Sequence, residues 1–274
     1  MKIGVFDSGL GGLTVVRELR RLCSSEEIIY LGDTARVPYG IRSDQVVQQY
    51  AHECATFLLK QQVDIVVVAC NTVSAVAIEQ LKLDFTVPVF GVIEPGAEEA
   101  VRISEGKPIG VLGTFATVES GAYGRAIVKL GSKQVLESQA APLLVPLVEE
   151  GWIAGEVPRQ VIRRYLEPLL RKNIRALILG CTHYPLLKEL IEAELKQLSK
   201  TPVTVVDSGI ALAENLRQYI QNGTPGALEE VTGEPITGRG KLSVYVTDTP
   251  RRFKTLAEKF LGEQIGNIEA IKLV

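Results

Sequence analysis

Cys70 and Cys181 each stand where a short apolar run gives way to small hydrogen-bonding residues: DIVVVACNT over 64–72 and ALILGCTHYP over 176–185. Short apolar runs stopped by polar residues read as buried parallel strands, which places both thiols at strand carboxyl ends. That is the end of an open α/β sheet at which ligands bind. Two thiols offered in this way suit proton exchange at a stereocentre. Such a reaction needs a base on each face of the carbon, one ionised to accept a proton and the other protonated to donate one. A free thiol with a pKa near 8.5 is only about 3% thiolate at pH 7. Bringing that pKa to about 7 raises the ionised share about 15-fold for roughly 2 kcal/mol. The residues after the cysteines, Asn71-Thr72 and Thr182-His183, read as helix starts, whose free N–H groups and positive dipole end hold carboxylates and favour thiolate. The bland alternative is a small buried filler, the usual fate of a free cysteine. Cys23 and Cys54, on helices without a polar neighbourhood, keep that reading.

Strands and helices alternate along almost the whole chain. Strand patterns cover 2–6, 27–31, 64–69, 87–92, 109–112, 203–206, 242–246 and 268–273, besides the run before Cys181. Helical spacing covers 11–22, 43–62, 72–83, the residues after Pro95, 118–130, 158–171, 210–220 and 251–261. This alternation means mainly parallel sheet covered on both faces. The chain also repeats: IGVF at 3–6 matches IGVL at 109–112, 106 residues on, and the cysteines are 111 apart. Two related α/β units follow, with Asp7-Ser8 opposite Gly113-Thr114 and Cys70-Asn71-Thr72 opposite Cys181-Thr182-His183. The expected fold is α/β, with two pseudo-symmetric domains of mainly parallel sheet flanked by helices and an active site in the interdomain cleft. Residues 1–95 with 207–274 form the first domain and 96–206 the second. The stretch 222–240, rich in Gly, Pro, Thr and Glu, reads as an excursion before the tail returns to the first unit.

At 274 residues the chain can bury a large core as one domain or two. Its 46% hydrophobic and 23% charged residues are ordinary for a soluble protein, and a net charge of −2 gives no footprint for nucleic acid or an anionic membrane. No apolar run nears the roughly 18 residues of a spanning helix. MKIGVFD enters a strand at once, without a signal-peptide core. Four cysteines without a Cys-x-x-Cys spacing suit a reducing cytoplasm, and His52 and His183 are too few for a zinc site. No lysine marks a strand carboxyl end, so no pyridoxal cofactor is expected.

The segment FDSGLGGLT at 6–14 has a glycine-rich turn after its strand, and Asp33 follows the second strand at a distance that suggests dinucleotide binding. Thr14 stands where the third glycine of that fingerprint belongs, so the reading fails. DTARVPYG at 33–40 is a loop at another strand end, in which Tyr39, Gly40 and nearby amides close over a polar ligand or form only a turn. Arg36 reads as a solvated loop residue. A cationic His183, two residues beyond Cys181, would favour thiolate there.

Taken together, FDSGLGGLTV at 6–15, GDTARVPYG at 32–40, ACNTVSA at 69–75, EPG at 94–96, VPLVEEG at 145–151, GCTHYPLL at 180–187 and VDSG at 206–209 closely resemble the glutamate racemases of the aspartate/glutamate racemase family. The resemblance implies cofactor-independent racemisation of glutamate, supplying D-glutamate for the bacterial cell wall. By it, Cys70 and Cys181 are the acid/base thiols on opposite faces of the α-carbon. Asp7 accompanies the first, and Glu150 with His183 the second, Glu150 being chosen over Glu149 by the family's Glu-Gly pair. Asp7, Ser8, Tyr39, Gly40, Asn71, Thr72, Thr182 and His183 fall on substrate-binding positions. The resemblance also implies a homodimer. An ionised Asp7 beside Cys70 would raise that thiol's pKa, so its help lies in orientation, contact with the substrate's ammonium or proton relay. With reacting atoms about 3–3.5 Å apart, the sulfurs would flank the substrate at about 6–8 Å from each other, and a disulfide between them would inactivate. A racemase of aspartate or a related acid, and a non-catalytic amino-acid-binding module, are the alternative readings.

Overall fold

The computed structural model describes residues 1–223, 240–249 and 252–273. The chain opens with β1 (Lys2–Asp7), buried on both faces from Ile3 onward. A glycine-rich turn leads to α1 (Leu13–Leu22), β2 (Glu27–Gly32), α2 (Asp44–Lys60) and β3 (Ile65–Val68). Then come α3 (Asn71–Val76), α4 (Ile78–Asp84) and β4 (Val89–Gly91). α5 (Ile93–Ser104) starts two residues before Pro95, which sits in the first turn where its missing N–H has no intrahelical partner to lose. It leads to β5 (Ile109–Gly113), α6 (Phe115–Glu119), α7 (Ala122–Lys129) and β6 (Leu136–Ala140). α8 (Leu144–Glu149), α9 (Glu156–Leu170), β7 (Ala176–Gly180), α10 (Lys188–Leu198) and β8 (Thr204–Asp207) follow. After α11 (Ser208–Gly223), the described chain resumes with β9 (Leu242–Val246), α12 (Phe253–Leu261) and β10 (Ile268–Ala270).

The strands form two wholly parallel sheets, in the orders β10-β9-β2-β1-β3-β4 and β6-β5-β7-β8. The second order repeats the β2-β1-β3-β4 part of the first, strand for strand. β1 and β5 are therefore equivalent, as are β3 and β7, which carry the two cysteines at their carboxyl ends. β9 and β10 extend the first sheet beyond β2.

Period-two alternation explains the layers. Ile65 and Val67 of β3 join one apolar cluster while Val66 and Val68 join a second under α2. Leu177 and Leu179 of β7 share the first cluster with Val15, Leu19, Leu212 and Phe260, so one core runs from sheet to sheet through α1, α11 and α12. Ala176 and Ile178 face a third cluster with α5 and α7. No helix among the described residues is long and apolar enough to cross a membrane.

Several elements differ from the sequence expectation. The helix expected over 118–130 is split into α6 and α7 at Gly121, whose φ of 65° is left-handed. The one expected over 72–83 breaks at Ala77 between α3 and α4. β6 was not expected: LESQA is polar and half-buried because it lies at a sheet edge. The excursion expected over 222–240 falls almost wholly outside the described residues.

Candidate active site

In the first sheet β1 lies between β2 and β3, so successive connections leave in opposite directions and open a crevice at the strand carboxyl ends. Asp7 closes β1, Ser8 follows it, and Cys70 comes just beyond β3 as the cap of α3. The Cys70 thiol donates to Ser8 Oγ at 3.5 Å. Burial, then the neighbouring Asp7 carboxylate, pushes the thiol up to about 12, against the pull of Ser8 and the Val73 amide. The depression expected from a helix start is thus overridden at Cys70. Asp7, 1% exposed, is itself raised by burial, opposed by the charge of His183 and by the amides of Gly12, Gly9 and Ser8. Its Oδ2 accepts the Gly9 N–H at 2.9 Å, while Oδ1 has no well-aligned partner among the described residues.

Cys181 occupies the equivalent place after β7, with different neighbours. Its Sγ lies 3.9 Å from His183 Nδ1, and His183 Nε2 lies 3.0 Å from Glu149 Oε1. Burial alone would lower the imidazole, but hydrogen bonds to Cys181 and Glu149, and their charges, raise it to about 10. The helix start expected at Thr182-His183 is not formed. Tyr184 N–H closes a three-residue turn onto Cys181 O, and Pro185 has no N–H to begin an α-helical ladder. A 3-10 turn at Tyr184–Leu187 follows, and α10 begins only at Lys188. The Tyr184 hydroxyl donates to the carbonyls of Ala141 at 2.8 Å and Gly113 at 3.2 Å, fastening the turn.

The glycine-rich turn after β1 brings the two halves together. A Cβ on Gly11 would fall 2.3 Å from Thr182 Oγ1 and 2.6 Å from His183 Nδ1, so only glycine lets the Cys181 turn approach this closely. Thr14, the residue that breaks the dinucleotide fingerprint, donates to Thr182 O at 3.0 Å.

Both cysteines, 6% and 7% exposed, line one cavity of ≈ 640 Å³ together with Ser8, Tyr39, Gly40, Asn71, Thr72, Thr114, Thr182, His183, Glu149 and Glu150. Thr72, Thr114 and Thr117 join their hydroxyls at 3.0–3.4 Å. Tyr39 is held from behind by donating to Asp33, which also accepts from Arg36 Nε at 2.6 Å and Thr247 Oγ1 at 2.8 Å. Arg36 is therefore no solvated loop residue: it also pairs with Glu53 and lies 4.0 Å from the Tyr50 ring centre. Asp7 is the one sequence-chosen site residue absent from the lining, lying just behind Ser8. Glu149 rather than Glu150 hydrogen-bonds His183, while both line the cavity; the sequence does not separate the neighbours, which differ in which one α8 turns toward His183. Thr114 was legible as the repeat counterpart of Ser8.

Two thiols that line one cavity from the strand ends of two repeated sheets define a site for acid–base chemistry on a small polar ligand. The Asp/Glu/Hydantoin racemase family model matches residues 3–216, and the chain belongs to that family. It is 48% identical to the glutamate racemase of Aquifex aeolicus over 265 residues, covering 97% of this chain and 96% of that protein. Among solved structures, glutamate racemase from Thermus thermophilus in complex with beta-chloro-D-alanine is 44% identical, with a TM-score of 0.84 over 99% of this chain and 97% of that one. Glutamate racemase from Francisella tularensis in complex with D-glutamate is 35% identical, with a TM-score of 0.87 over the same shares.

Proposed function

We propose that this protein interconverts L- and D-glutamate by two-base proton transfer between Cys70 and Cys181, without a cofactor. The observation that carries the reading is that one thiol from each repeated unit opens on the same cavity. One thiolate takes the α-proton, forming S–H and leaving the electron pair on the α-carbon and its carboxylate. The opposite thiol gives its proton to the other face and becomes the thiolate. His183 Nδ1 stands 3.9 Å from Cys181 Sγ, where a cationic imidazole would stabilise a thiolate during proton transfer. Cys70, raised to about 12, is suited to begin as the acid.

Ser8, Tyr39, Gly40, Asn71, Thr72, Thr182 and His183 bind the substrate, with the threonine hydroxyls available to its carboxylates. Asp7 works by orientation or by contact with the ammonium, since its charge opposes a Cys70 thiolate. Glu149 favours the cationic form of His183, and Glu150 lines the same cavity. The sheet membership of β8 and β9 supports domain limits of 1–95 with 207–274, and 96–206. The family likeness supports a cytoplasmic homodimer that supplies D-glutamate to the cell wall.

The test is incubation with L-glutamate in D₂O, without added cofactor, followed by NMR and chiral analysis. Loss of the α-proton signal with appearance of D-glutamate is expected. Retention of the α-proton makes the cleft a binding module, and exchange of aspartate in preference to glutamate moves the substrate.

A further inference from the structure

The Asn71 side chain is held by a chain of hydrogen bonds that begins on the backbone of the other unit. The Leu179 carbonyl, in β7 two residues before Cys181, can only accept, and it takes the Ser208 hydroxyl proton at 3.0 Å. Ser208 Oγ has then spent its single proton and offers only lone pairs to further neighbours. Asn71 meets it with its NH₂ end: Nδ2 lies 3.4 Å from Ser208 Oγ and 3.0 Å from Tyr123 Oη. The two ends of an amide are nearly the same shape, so hydrogen-bond polarity, not packing, decides which way it points. Asn71 Oδ1 is consequently turned away from both hydroxyls. It is buried and accepts no hydrogen bond among the described residues, on a side chain 2% exposed that lines the cavity beside Cys70. A buried acceptor left without a donor is costly, and such orphans call for an explanation in function.

We propose that Tyr123 and Ser208 are positioning residues, locking the Asn71 amide so that Oδ1 accepts a hydrogen bond from the substrate's ammonium group. Polarity selects that end of the substrate. An ammonium has donors only, as this acceptor requires, whereas a carboxylate would place oxygen against oxygen. The flipped amide would present NH₂ to the substrate and repel the ammonium. Leu179 thus sets, through Ser208, the orientation of a group next to Cys70, although it belongs to the sheet of Cys181. The inference rests on the glutamate racemisation reading.

The test is steady-state kinetics of Tyr123→Phe, Ser208→Ala and Ser208→Thr, in wild-type and Asn71→Ala backgrounds, with thermal melts to confirm folding. Loss of one charge-assisted hydrogen bond predicts a rise in KM of about 10-fold for Tyr123→Phe, with kcat changed far less. Ser208→Ala behaves alike and Ser208→Thr restores the wild-type KM. In the Asn71→Ala background neither Tyr123→Phe nor Ser208→Ala has any further effect. The proposal is overturned if folded Tyr123→Phe keeps the wild-type KM, or if it costs the same factor when Asn71 is absent. Should Tyr123→Phe not fold, the serine pair decides by the same criteria. Failure of α-proton exchange in the wild-type protein instead removes the racemase reading itself.

Discussion

The surroundings of Cys70 and those of Cys181 stand at matching strand ends of a repeated sheet, yet their electrostatics are opposite. Cys70 caps a true α-helix, donates to Ser8 and lies against the buried carboxyl of Asp7. Cys181 sits on a turn, beside an imidazole whose titration is raised by its hydrogen bonds to that sulfur and to Glu149. Repetition supplies two sulfurs facing one crevice, and divergence of the neighbours supplies the inequality that two-base chemistry requires. A symmetric pair, both ionised or both protonated, would lack either the donor or the acceptor. The comparison also shows that a helix start does not by itself ionise a thiol, since burial outweighs it at Cys70.

The largest expected effect falls equally on both halves. Cys70→Ser and Cys181→Ser should each lower racemisation by about 10²–10⁴-fold, the usual share of a general acid or base, as read by circular dichroism of glutamate. Full activity in either removes that sulfur from the mechanism. Gly11→Ala tests whether the halves must meet: the added methyl meets Thr182 and His183, and overpacking of this kind costs about 1–3 kcal/mol in a thermal melt. The activity loss should exceed the stability loss, because the Cys181 turn is displaced.

Smaller effects separate the two neighbourhoods. Asp7 titrates above its ordinary value because it is buried, so its favourable contribution to folding is present in acid and is lost as pH rises through its folded value. Asp7→Asn should therefore raise stability at neutral pH by about 0.5–2 kcal/mol while lowering kcat. His183 behaves differently at neutral pH. Raised from 6.5 to about 10, its pairing stabilises the fold fully below pH 6.5, and that contribution is lost as pH climbs through about 10. The stability gap between wild type and His183→Asn should shrink across that window. The smallest effect distinguishes adjacent carboxylates: Glu149→Gln should lower the imidazole titration seen by NMR, and Glu150→Gln should leave it in place.

The sequence makes the strands legible wherever both faces are buried, because the apolar run is then continuous, as at 65–68 and 176–180. It hides β6, whose edge position permits a polar run, and the breaks at Ala77 and Gly121 inside otherwise helical spacing. Ile191 and Leu195 carry a helical stripe for α10 that the expected element order omits. In the site, Cys70, Ser8, Thr182 and His183 are readable because strand ends alone place them. Tyr123, Ser208 and the seating role of Thr14 are not, since each makes a contact across the junction of the two units that local pattern does not record, and Glu149 is not, because nothing local separates it from Glu150.

The claim beneath all of this is that two sulfurs flank a single carbon, and a crystal structure with glutamate bound tests it most directly. The α-carbon should lie between Cys70 Sγ and Cys181 Sγ, with each sulfur about 3–4 Å away on opposite faces. Both sulfurs on one face, or either one out of reach of the α-carbon, would contradict the account.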